Sequence, residues 1–76
     1  MFFVFDAQPH MPIRNIRLGG FKSLLAAQSN ARDLNNSHIV DEHNQFVYIV
    51  VDGIVRFDAS GPVPNIDGVM RRISAR

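Results

Sequence analysis

Phe46-Val47-Tyr48-Ile49-Val50-Val51-Asp52-Gly53-Ile54-Val55-Arg56-Phe57-Asp58 sets two runs of β-branched and aromatic residues on either side of one Asp-Gly pair. Tight hairpins need positive φ at both central residues of a two-residue turn, and Asp-Gly tolerates this. Strands are therefore predicted over Phe46–Val51 and Ile54–Asp58, joined at Asp52-Gly53. Such a turn fixes the register. Val51 is expected opposite Ile54, Val50 opposite Val55, Ile49 opposite Arg56 and Tyr48 opposite Phe57. Side chains alternate between the faces of a strand. Phe46, Tyr48, Val50, Val55 and Phe57 then share one face, and Val47, Ile49, Val51 and Ile54 share the other beside Arg56 and Asp58.

Working outward, Phe2–Phe5 reads as a buried strand, and residues 12–18 as either a second strand or a loop, with the strand preferred. Phe21–Leu34 carries a helical stripe of Phe21, Leu24, Leu25, Ala31 and Leu34. Gly19-Gly20 suits a flexible start to that helix, and Asn35-Asn36 a left-handed close. His38–Asp41 is a short strand before the polar turn Glu42–Gln45. After the Ser60–Pro64 linker, Asn65 is placed to cap a last helix with Ile66, Val69, Met70 and Ile73 at helical spacing. Gly68 weakens it by up to ~1 kcal/mol. The expected class is α+β: an antiparallel sheet of three to five strands, order β-(β)-α-β-β-β-α, packed on one main helix with a short C-terminal helix. Seventy-six residues are read as one domain, 1–76.

The first face of the hairpin is the natural floor for the main helix. The second needs its own cover, because burying each large apolar side chain is worth ~1.5–3 kcal/mol. Leaving Val47, Ile49, Val51 and Ile54 wet would forgo about as much as the fold retains, roughly 4–11 kcal/mol at this length. Two covers are open: the C-terminal helix, or another chain, either a second copy or a different protein. In the second case Val47, Ile49, Val51, Ile54 and Arg56 form the interaction surface.

Composition argues for a folded globule, with 46% apolar and 20% charged residues. The absence of cysteine fits a reducing compartment. The first six residues lack the basic leader and length of a signal peptide. No run reaches the ~18 apolar residues that span a bilayer. A cytoplasmic chain without membrane contact is expected. Net charge is +1, spread as an acidic middle between two basic ends.

The basic groups Arg14, Arg17 and Lys22 flank the diglycine, and Arg71, Arg72 and Arg76 lie near the carboxyl end. Free N–H groups at a helix start attract anions, so the first trio suits a phosphate or carboxylate, and both trios together suit weak, salt-sensitive nucleic-acid contact. No P-loop, helix-turn-helix, zinc-finger or RNA-recognition pattern accompanies them. His38 and His43, five apart, match neither the strand nor the helix spacing of metal ligands, and His10 stands alone. These three read as surface turn histidines. Ser37, Asp41 and His43 are near in sequence but carry no catalytic motif. No metal, cofactor or enzymatic activity is expected. The function expected is a non-enzymatic protein-interaction module, a small regulator or inhibitor acting through a sheet face or its edge and self-associating. Nucleic-acid binding is the alternative, and a small enzyme or anion-binding protein comes last.

Overall fold

The runs of β-branched and aromatic residues form strands, and the segment richest in alanine forms the main helix. The computed structural model describes residues 1–9, 16–61 and 68–71, the side chains of 16–19 excepted. The strands are β1 (Phe2–Phe5), β2 (Ile16–Phe21), β3 (Ser37–Asp41), β4 (Phe46–Val51) and β5 (Ile54–Asp58), with helix α1 (Leu24–Arg32) between β2 and β3. A short second helix, α2, covers residues 68–71. One antiparallel sheet runs in the order β2-β1-β3-β4-β5. The class and the element order match those read from the sequence. Asn65, Ile66 and Ile73, expected in the last helix, lie outside the described residues, as does His10.

The second strand starts at Ile16 and continues through Gly19-Gly20 to Phe21. The diglycine thus belongs to the sheet, not to the start of the helix. A Cβ on Gly20 would overlap the Met1 side chain. The helix begins later than predicted, because Ser23 caps it: its Oγ accepts the Ala26 N–H at 3.4 Å. Its buried residues are Ala27, Gln28 and Ala31, whereas Leu25 is 70% exposed. The stripe predicted from large side chains is rotated, since two alanines let the helix axis approach the sheet closely. The helix closes on Asp33 in the right-handed region, φ −77°, and neither Asn35 nor Asn36 is left-handed.

The Asp52-Gly53 turn forms as predicted, with φ of 54° and 78°. Its tip is tied to the chain beyond α1. Gly53 N–H donates to the Asn35 carbonyl at 2.7 Å, and Asp52 N–H donates to Asn36 Oδ1 at 3.1 Å. Gln8 Nε2 donates to the same Asn36 oxygen at 3.0 Å.

Beyond the turn the register departs from expectation. Val51 faces Ile54 and Val50 faces Val55, but Ile49 faces Phe57 and Tyr48 faces Asp58. One extra residue, Arg56, makes a β-bulge, and every β5 side chain after it changes face. A second bulge across β3–β4 pairs Ile39 with Tyr48 and Val40 with Phe46, leaving Val47 as the extra residue. Phe46 and Phe57 therefore lie opposite Tyr48, not beside it, and Val47 packs with the Tyr48 side.

Two cores result, one per face. Under α1 lie Val4, Ile39, Tyr48 and Val50 with Ala27 and Ala31, flanked by Phe2, Phe21, Leu34 and Val47. On the other face Ile49, Val51 and Phe57 join Val69 of α2, flanked by Phe46 and Met70. That face continues to His38, which is fully buried. Its ring stacks on Phe5 at 4.9 Å and meets the edge of Phe46 at 5.7 Å. His38 Nδ1 lies 2.6 Å from the Ala7 carbonyl. A carbonyl only accepts, so Nδ1 carries the proton in this bond. His38 is a core residue, contrary to the surface role expected of it.

Candidate interaction surface

Ile49 and Val51, two residues of the expected surface, are 0% and 2% exposed. The face that needed a cover has one within the chain, through Val69 and Met70. Val47 is half-buried beside the α1 core. Of the five, only Ile54 and Arg56 remain exposed, and both lie on β5.

β5 is the last strand of the sheet, and among the described residues no strand pairs with its outer edge. Ile54 is 52% exposed and Val55 43% exposed. They point to opposite faces, since Ile54 pairs with buried Val51 on the α2 side and Val55 with buried Val50 on the α1 side. Helix α1 lies mainly over β1 and β3, and it touches β5 through the Gln28–Asp58 bond at the far end of that strand. Sequence reasoning placed Val55 in the core because a two-residue turn alone cannot tell an edge strand from an interior one.

Polar groups anchor the far end of β5. Asp58 Oδ1 accepts from Ser60 N–H at 3.0 Å, Ser60 Oγ at 2.6 Å and Gln28 Nε2 at 3.5 Å. Nearby, Arg32 Nε donates to Tyr48 Oη at 3.1 Å, and this bond, more than the charge of Asp58, raises the guanidinium pKa above its ordinary value. Tyr48, otherwise wholly buried, thereby satisfies its hydroxyl at the rim of α1.

The basic segments do not converge among the described residues. Lys22 is exposed just before α1, and Arg71 is exposed on α2, with the sheet between the two helices. Arg14, Arg72 and Arg76 lie outside the described residues, as does the side chain of Arg17. Ser23 already uses the N–H of Ala26 at the helix start.

The residues weighed for catalysis have structural roles. Ser37 Oγ, buried, donates to the Ala31 carbonyl at 3.1 Å. Asp41 Oδ1 accepts the Gln45 and His43 N–H groups at 3.0 and 2.8 Å. The Gln45 bond leads in holding the Asp41 carboxyl below its ordinary pKa. This shapes the β3–β4 turn, where Asn44 takes φ of 65°. Among the described residues no group of His, Asp and Glu side chains is arranged to hold a metal ion, and no helix is long and apolar enough to cross a membrane.

Compared with models of known protein families, with curated proteins and with solved structures, the chain matches none.

Proposed function

We propose that this chain is a non-enzymatic protein-interaction module that takes an extended segment of a partner at the outer edge of β5. One observation carries this reading. Ile54 and Val55 are both largely exposed, yet they look to opposite faces of one edge strand. A partner lying on either face would reach only one of them. A strand added alongside β5 reaches both, because its own side chains alternate in the same way, and its backbone satisfies the edge N–H and C=O groups. Arg56, exposed at the bulge between this apolar pair and Asp58, favours an acidic residue opposite it.

Panning a random-peptide display library against the full chain tests the reading. Enriched peptides should alternate apolar residues, shift the amide resonances of residues 54–58, and lose binding when Val55 becomes Asp. Peptides that shift amides elsewhere, or that ignore Val55→Asp, would refute edge binding.

A further inference from the structure

We infer that Arg56 is an inserted residue whose bulge keeps the outer edge of β5 from pairing regularly with β5 of a second copy. The inference does not depend on which segment the edge takes. Its first support is the register. Val51 pairs with Ile54, Val50 with Val55, Ile49 with Phe57 and Tyr48 with Asp58. Residues 48–51 thus meet β5 in unbroken order once Arg56 is left out. The faces agree with this. Ile54 and Phe57 lie with Val51 and Ile49 on the α2 side, and Val55 and Asp58 with Val50 and Tyr48 on the α1 side. Both cores are therefore complete without Arg56. Its side chain is exposed, and the bonds that hold the two ends of β5, at the tip and at Asp58, use none of its atoms. A residue that neither core needs has its effect at the place where it lies, which is the edge.

The neighbours of Arg56 show why the edge needs it. Ile54 and Val55 are largely exposed, one on each face. In a strand without the bulge, Ile54, Val55 and Phe57 would follow one another along a regular row of N–H and C=O groups. An apolar edge of that kind is a template for another strand. A bulge disrupts the row and increases the local twist, and a charged side chain on the edge adds to the obstruction. Regular pairing along the edge then stops after Val55. A short extended segment can still lie beside Ile54 and Val55, whereas a full copy of β5 cannot. The self-association expected from the sequence is thereby opposed at this strand.

Deleting Arg56 from the full chain tests this, with Arg56→Ala as the variant that loses the charge but keeps the extra residue. Sedimentation velocity is run up to about 0.5 mM, where contacts with dissociation constants near 1 mM begin to register. The wild type should stay at the 8.6 kDa of one chain. The deletion variant should keep the wild-type far-ultraviolet circular dichroism and cooperative urea unfolding, yet sediment as dimers or larger species. Arg56→Ala should associate at least about tenfold more weakly than the deletion variant. A deletion variant that stays monomeric overturns the inference. One that loses its folded signal does so too, because Arg56 would then be required by the cores. A wild type that already associates through residues 54–58 shows that the bulge obstructs nothing. Equal association of Arg56→Ala and the deletion variant would remove the bulge as the cause and leave only the charge.

Discussion

The two faces of the sheet are closed by different means. On one side a nine-residue helix lies close, and it can do so because its contact residues are Ala27 and Ala31. The bulk of that core comes from the sheet itself, from Val4, Ile39, Tyr48 and Val50. On the other side a short helix contributes Val69 and Met70, and the sheet supplies Ile49, Val51 and Phe57 beside the stacked rings of Phe5 and His38 and the edge-on ring of Phe46. The lesson is that a long cover with small side chains and a short cover with large ones can seal equally well. Ile39 and Ile49, one on each face, are both wholly buried.

The sharpest way to break this equivalence is Ile49→Asp. A carboxylate in that position has no water and should cost about 4 kcal/mol or more. That is comparable to the whole stability, roughly 4–11 kcal/mol, so loss of the folded circular-dichroism signal is expected. A variant that stays folded would mean that α2 does not seal its face. Next come Ile39→Ala and Ile49→Ala, each expected to cost about 2–5 kcal/mol by urea unfolding. A much smaller loss at Ile49 would show the short helix to be the looser cover. Ala31→Val and Val69→Ala probe the covers themselves. Overpacking beneath α1 should cost about 1–3 kcal/mol, and the truncation on α2 about 1–2 kcal/mol. The smallest effect belongs to Leu25→Lys. Leu25 faces solvent, so its replacement should move stability by no more than about 0.5 kcal/mol. A larger loss would mean that the predicted stripe, not the alanine face, is in contact.

Much of this architecture was legible in the amino-acid order. β1, β4, β5 and the turn between the last two have the boundaries their residues predict, because strand runs bounded by an Asp-Gly pair leave the backbone few options. The bulges were not legible. Nothing about Val47 or Arg56 marks it as an extra residue, since a bulge arises from how two strands twist against each other. One inserted residue sufficed to carry Phe57, and another to carry Phe46, to the face opposite Tyr48. The face that α1 turns to the sheet was missed for a related reason. Large apolar residues dominate a periodicity count, whereas the closeness of a helix to a sheet is set by its smallest ones. His38 was assigned to the surface because a histidine near a turn usually sits there, and its aromatic neighbours come from distant parts of the chain. The candidate surface moved accordingly. Ile54 and Arg56 remain from the expected set, and Val55 joins them through its place in an edge strand.

The bonds that hold the Asp52-Gly53 tip to Asn35 and Asn36 have a kinetic consequence. A hairpin at the end of a sheet would ordinarily peel from its turn, as a zipper opens. Here the tab of the zipper is fastened to the segment leaving the main helix, and through Gln8 to the chain after the first strand. The Gly53 amide should then exchange its hydrogen only in molecules that have opened much of the structure, so a solvent-facing turn would report on global unfolding.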